Sequence, residues 1–176
     1  MAPVDKFITY TETMREVTHI PIRHLDRDSV NPIQDLRLLL ELMRLYKKHK
    51  PDLILHYTVK PNIYGGLAAR LLGIPSVGVI TGLGYSLMHE GWINVITRLL
   101  YKFFLPFHRK VIFENTDDKA LFEKAGLVSA SKSVAIKGCG VDTTYYSPNG
   151  VVRSLEIITF TFIGRLLYDK GVREFI

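Results

Sequence analysis

The chain has 176 residues, with 23 Lys and Arg against 17 Asp and Glu, for a formal net charge of +6. At 47% hydrophobic and 23% charged it is not a disordered chain, and 13 Gly with 8 Pro exclude collagen-like or low-complexity sequence. One cysteine, Cys139, excludes an intramolecular disulfide framework and a Cys-based zinc site, and points to a reducing compartment.

The opening residues, MAPVDKFITY, lack the apolar core of a signal peptide. Thr18 to Ile22 is β-prone, and Pro21 restricts it to an edge or irregular strand. Asn31-Pro32 opens a helix, with Asn as N-cap and Pro at the first helical position, running to about Lys48. Gln34, Arg37, Glu41, Arg44 and Lys48 form its polar face. Leu36, Leu39, Leu40, Met43 and Tyr46 oppose them, joined by Leu38, Leu42 and Leu45. That arc is wider than a surface helix needs, so the helix should meet a sheet and a further surface. Leu53 to His56 reads as a short buried strand, and Asn62 to Leu72 as a helix ended by Gly73 and Pro75. Ser76 to Ile80 is a strand, followed by the Gly-bearing turn Thr81 to Tyr85. Trp92 to about Leu105 is helical, and Lys110 to Phe113 is a strand. Thr116 to Ala125 is a helix with Gly126 at its C-terminal cap. Ser133 to Ile136 is a strand, followed by Gly138-Cys139-Gly140. Residues 143–156 are turn-rich and polar, a linker. Ile157 to Ile163 is strongly β-prone, and Gly164-Arg165 leads to a helix start at Lys170.

Strands alternating with helices over short loops predict an α/β fold with a parallel, doubly wound sheet. Ligands of such sheets bind beyond the carboxyl ends of the strands. The expected organisation is a Rossmann-like domain over residues 1–142, a linker over 143–156, and the start of a second domain over 157–176. One strand and a helical turn cannot bury their own apolar face, and doubly wound domains open with a strand. The chain is therefore expected to be a piece of a longer protein.

Phe160 to Gly171, FTFIGRLLYDKG, carries the sharpest chemistry. A strand delivers Gly164-Arg165 at its carboxyl end, and Lys170 stands at a helix start. A planar guanidinium fork, a point charge and free helix N–H groups suit a diphosphate; two solvated cations flanking a turn are the plainer reading. Thr81, Gly82 and Gly84 follow a strand and would let backbone approach a sugar or phosphate, or would simply make a tight turn. Lys60 could meet an acceptor phosphate or be solvated. Glu114 could face the cleft, Asn115 could line it or cap the next helix, and Asp142 could be an interdomain contact. His56 and Cys139 read as structural, Cys139 as a small packed residue. Between Glu90 and Glu114 there is no acid, and Arg98, Lys102, Arg109 and Lys110 supply four of the six net positive charges. Trp92, Tyr101, Phe103, Phe104 and Phe107 surround them. Basic residues among aromatics suit a helix on an anionic membrane surface; a core helix with snorkelling cations is the alternative. No stretch reaches the ~18 apolar residues of a membrane span, so the expected contact is peripheral.

GRLLYDKG resembles the Gly-Arg…Lys-Gly motif of the retaining glycosyltransferases of family 4, which have the two-domain GT-B fold. KGCGVDTTYYSP, Lys137 to Pro148, resembles the segment ending that family's N-terminal domain, and places Gly138, Gly140 and Asp142 between the domains. HYTVKPNIYGGLAARLLGIP, ITGLGY and VIFENTDD are similar to one branch. That branch adds N-acetylated sugars to lipid-diphosphate-linked acceptors in bacterial surface-polysaccharide and glycoprotein pathways. The resemblance implies an acceptor-side domain followed by the first strand of the donor domain. It implies Arg165 and Lys170 on the diphosphate of a UDP-sugar substrate, no metal and no cofactor. It also implies a lipid-linked saccharide acceptor, no nucleic acid partner, and a cytoplasmic location on the inner face of the membrane. The family's Glu-x7-Glu motif does not occur in this chain, and Thr81-Gly82 stands where many relatives have His-Gly. Two alternatives remain: a UDP-N-acetylglucosamine 2-epimerase-like enzyme, which would release free sugar without an acceptor, and a basic nucleic-acid-binding domain, for which no motif is present.

Overall fold

The structure, a computed structural model, describes residues 17–26, 29–84, 87, 91–147, 158–164, 166 and 168–176. The chain divides into two compact units, Met1–Gly140 and Val141–Ile176.

In the first unit, helix α1 (Pro32–His49) starts as predicted: the Asn31 side chain accepts the Ile33 N–H at 3.0 Å. It ends on Lys50, whose left-handed backbone (φ 44) returns its N–H to the Tyr46 carbonyl. The buried stripe is Leu38, Leu42 and Tyr46, while Leu36 and Leu40 stay 56% and 42% exposed. The predicted polar face is corrected at Glu41. Its carboxylate accepts the Arg23 and His24 N–H groups and His24 Nδ1, each at 2.9 Å. That grip holds the segment before α1 alongside it, and Ile22 joins Leu38, Leu42 and Tyr46 in a core cluster. Thr18 to Ile22 forms no strand; Pro21 makes an isolated bridge.

Four strands follow, β1 (Ile54–Tyr57), β2 (Ser76–Ile80), β3 (Lys110–Phe113) and β4 (Ser133–Ala135). They pair in parallel in the order β1-β2-β3-β4. The order steps one way across the sheet, so the reversal that defines a doubly wound sheet is not present among the described strands. One row, His56, Gly78, Val111 and Ser133, faces the helices. The opposite face carries Leu55 and Val134, 49% and 39% exposed, in two different rows.

The first crossover differs from the predicted single helix. Helical from Val59, it passes through a π turn (Pro61–Gly65) and continues as α2 (Gly66–Leu71). Helix α3 (Trp92–Phe104) runs into a 3-10 turn at Leu105–Phe107, where Pro106 ends regular helix. Helix α4 (Thr116–Lys124) is capped by Asn115 and closed by Gly126 at φ 65. The larger core gathers Ile63, Ile80, Tyr101, Leu105, Val111, Phe113 and Phe122. Phe122 meets the Phe113 ring edge-on at 5.1 Å and Tyr101 at 5.5 Å.

In the second unit the predicted strand is corrected. Residues 158–163 form no strand, and Ile158, Phe160 and Ile163 are 81%, 80% and 93% exposed. Ile157 lies outside the described residues. A β-prone run needs a neighbouring strand to satisfy its backbone, and none of the described strands pairs with it. A 3-10 turn (Tyr168–Lys170) and the short α5 (Val172–Phe175) follow, with Phe162 and Phe175 rings 5.6 Å apart.

Candidate functional site

The carboxyl end of the parallel sheet delivers Thr58 after β1, Thr81 after β2, Glu114 after β3 and Ile136 after β4. Lys60 is not an open cation. Its Nζ sits 2.7 Å from Asp35 in the first turn of α1, with 12% and 14% of the two side chains exposed. The other Asp35 oxygen accepts the Tyr64 hydroxyl at 2.8 Å. Burial, together with Asp35, pushes the Tyr64 hydroxyl up from its ordinary range. Lys60 thus ties the corner after β1 to α1. Asp35 and Tyr64 were not singled out from the sequence, because both are distant from Lys60 or apolar in pattern.

Thr81 is exposed, and Gly82 and Gly84 take φ 140 and φ 65. Nothing lies within 4 Å of a Cβ at either position, so left-handed backbone rather than crowding calls for glycine. Glu114 and the loop after β4 come together: the Cys139 thiol donates to Glu114 Oε1 at 3.0 Å. Cys139 is exposed rather than packed, and that carboxylate pushes its thiol up. Gly138 and Gly140 flank it at φ 71 and φ 77. Asn115 is occupied as a cap, accepting the Asp118 N–H at 2.7 Å. Asp142 closes its own turn, accepting the Thr144 and Tyr145 N–H groups at 2.9 and 3.1 Å. In the second unit Gly164 and Lys170 are exposed, and Arg165 lies outside the described residues.

Under the helix-facing side of the sheet, from mid-strand to its amino end, is a buried polar cluster of which the sequence alone suggested only His56. Tyr46 OH and His56 Nε2 are 2.9 Å apart. His108 Nε2 donates to the Asn62 carbonyl at 2.9 Å, so its Nδ1 accepts from the Ser76 hydroxyl, also at 2.9 Å. The two imidazole centroids are 5.3 Å apart. Three glycines make the room: a Cβ on Gly65 would stand 2.5 Å from His56, on Gly66 2.7 Å from His108, and on Gly78 2.9 Å from Asn62 Oδ1. The Gly65-Gly66 pair and the Pro61-Asn62 step are the local signals that could have found the cluster.

Burial holds the His56 imidazole down to about 3, with His108 adding to the effect. Burial lowers His108 as well. Both rings are therefore neutral in the folded protein, whereas the unfolded chain binds protons near pH 6.5. The stability tied to the neutral form is complete above pH 6.5 and is lost as pH falls towards 3. Urea unfolding should lose up to about 3 kcal/mol between pH 6.5 and pH 4, and His56→Gln should flatten part of that slope. An equally steep slope in the variant would assign the acid sensitivity to other groups.

Helix α3 buries Thr97 and Tyr101 and points a second apolar stripe outward. Trp92, Val95, Ile96, Leu99 and Phe103 are 63%, 57%, 46%, 50% and 66% exposed. Their spacing puts them on one face, with the exposed Arg98 and Lys102 along its flank. Arg109 and Lys110 are exposed just beyond, Lys110 with its Nζ on the Ser131 carbonyl at 2.8 Å. Phe104 faces inward against the core. No helix among the described residues is long and apolar enough to cross a membrane.

A parallel α/β unit with its loops gathered at one end of the sheet is a frame for carrying a ligand, and comparison with known proteins gives it a family. Residues 10–115 match the model described as "Glycosyl transferase 4-like", and the chain belongs to that family. It is 26% identical over 183 residues to the N,N'-diacetylbacillosaminyl-diphospho-undecaprenol alpha-1,3-N-acetylgalactosaminyltransferase of Campylobacter jejuni, covering 94% of this chain and 48% of the relative. It is 27% identical over 155 residues to the UDP-Gal:alpha-D-GlcNAc-diphosphoundecaprenol alpha-1,3-galactosyltransferase of Escherichia coli, covering 81% and 39%. The chain thus spans about half the length, or less, of the curated relatives it matches. Among solved structures it is similar to MurG of Acinetobacter baumannii, with a TM-score of 0.44 and 20% identity over 82% of this chain and 37% of that one.

Proposed function

We propose that the protein containing this chain is a retaining glycosyltransferase of the two-domain GT-B type. It moves a sugar from a UDP-sugar to a hydroxyl of a saccharide carried on a lipid diphosphate. One observation carries the reading: both curated relatives, matched over most of this chain, are named for transfer to diphospho-undecaprenol-linked sugars. The first unit is the acceptor-side domain, and residues 157–176 begin the donor domain. Without the rest of that domain the 176-residue chain is not expected to turn over. Arg165 and Lys170 neutralise the charge that develops on the leaving UDP, the role suited to a guanidinium fork and a point charge. Thr81, Gly82 and Gly84 line the acceptor side, with Glu114 at the end of the neighbouring strand. Lys60 supports that wall through Asp35 instead of meeting phosphate itself. The outward stripe of α3 rests on the anionic inner face of the cytoplasmic membrane, where a lipid-linked acceptor is anchored.

In the full-length protein, Arg165→Ala and Lys170→Ala should each lower turnover of UDP-sugar by about tenfold or more. A charge-assisted contact to phosphate is worth roughly 1.5–3 kcal/mol, and tenfold is about 1.4. Activity close to wild type in both variants would remove the diphosphate assignment. Release of free sugar in the absence of any acceptor would replace transfer with epimerase-like chemistry.

A further inference from the structure

Two unusual backbone features follow β1 in succession. Thr58 has φ 69, in the left-handed region, where a β-branched residue is a genuine outlier. The other described non-glycine residue there, Lys50, closes the C-terminus of α1; Thr58 closes no helix. Three residues on begins the π turn Pro61–Gly65, a rare form that is frequent at functional sites.

Asn62 locks both features. Its N–H donates to the Thr58 carbonyl at 3.2 Å, its Nδ2 to the Val79 carbonyl at 2.9 Å, and its carbonyl accepts His108 Nε2 at 2.9 Å. Asn62 is fully buried, so the conformation of Thr58 is imposed from beneath. Thr58 itself is exposed, and its hydroxyl makes no hydrogen bond among the described residues. With Pro61 it lines a cavity of about 370 Å³ along β1, whose other walls include Leu38, Leu42 and Leu55. Glycine would take this backbone without strain. What threonine adds at the position is a fixed, solvent-facing hydroxyl.

We infer that Thr58 contacts substrate: its hydroxyl, held out by the strained corner after β1, hydrogen-bonds an oxygen of the sugar-phosphate head of the acceptor. The inference rests on the reading that the first unit takes the acceptor. It is tested with Thr58→Gly and Thr58→Ser in the full-length protein. Thr58→Gly should raise Tm by about 2 °C or more through strain relief. It should also raise the acceptor KM about fivefold, the ~1 kcal/mol of one hydrogen bond, and leave the KM for UDP-sugar unchanged. Thr58→Ser, which keeps the hydroxyl, should retain the wild-type acceptor KM. An unchanged acceptor KM in Thr58→Gly, or an equal loss in Thr58→Ser, overturns the contact. A Tm that does not rise overturns the strain. If the wild-type protein turns over no lipid-diphosphate acceptor, the proposed function fails separately. Titration with N-acetylglucosamine 1-phosphate then decides the contact, by whether the Thr58 and Val59 amide resonances move at millimolar concentration.

Discussion

Gly65→Ala should destabilise the protein by about 2–4 kcal/mol and lower its Tm by about 5–10 °C. Helix propensity taken alone predicts the opposite sign. Gly65 has φ −67 and ψ −41, so alanine fits the backbone and should gain about 1 kcal/mol. Sterics decide against it. The new methyl would stand 2.5 Å from His56 Cδ2 and Nε2 and 3.2 Å from the Tyr46 hydroxyl. His56 is 3% exposed, with the His108 ring 5.3 Å beyond it, so it cannot retreat without disturbing a second buried imidazole. Forcing it aside overpacks the core at a cost of about 1–3 kcal/mol, and breaking the Tyr46–His56 bond leaves buried polar groups unsatisfied for about 1–3 more. Together these exceed the propensity gain. A smaller partner should repair the damage, so Gly65→Ala with His56→Asn should recover part of the lost Tm. A Gly65→Ala variant more stable than wild type would mean that the cluster is loosely packed.

What could be read from the sequence was local. Asn31-Pro32, Asn115 and Gly126 each start or stop a helix through groups within four residues of themselves, and each does so in the structure. Alternation of apolar runs and turn residues placed all four strands to within one residue or so. What could not be read depends on distant partners. The π turn exists where Asn62 bonds Val79 and His108, 17 and 46 residues away. Lys60 is masked by Asp35, 25 residues earlier. Glu41 looked solvent-facing from helical spacing alone, yet it anchors Arg23 and His24. Ile157 to Ile163 is strongly β-prone in sequence. Propensity without a neighbouring strand left most of its described residues exposed, Ile158, Phe160 and Ile163 among them. For α3, spacing identified the cations but not which apolar face is left over once Thr97 and Tyr101 turn inward.

On the proposed function, that leftover face sets how the protein should bind lipid. Membrane binding should have two separable components, and removing either should leave the other measurable. Arg98, Lys102, Arg109 and Lys110 are all exposed. Each basic residue near an anionic surface contributes ~1 kcal/mol, screened within a Debye length. Replacing the four together with Gln should therefore weaken binding to phosphatidylglycerol-containing vesicles by a factor of several hundred at low salt, which is about 4 kcal/mol. The apolar stripe behaves differently. Trp92, Leu99 and Phe103 are 63%, 50% and 66% exposed, and burying each such side chain in the acyl boundary is worth roughly 1–2 kcal/mol. This part persists in high salt and on neutral phosphatidylcholine. Trp92→Ser, Leu99→Ser and Phe103→Ser combined should abolish that remainder while leaving the salt-sensitive part. Because these side chains face away from the core, Tm should change little. Phe104→Ser supplies the contrast: it packs against the buried cluster, so it should cost stability and have little direct effect on vesicle binding. If the triple serine variant unfolds, the stripe is a packing surface. If wild type ignores anionic vesicles at low salt, the proposed membrane contact of α3 is overturned.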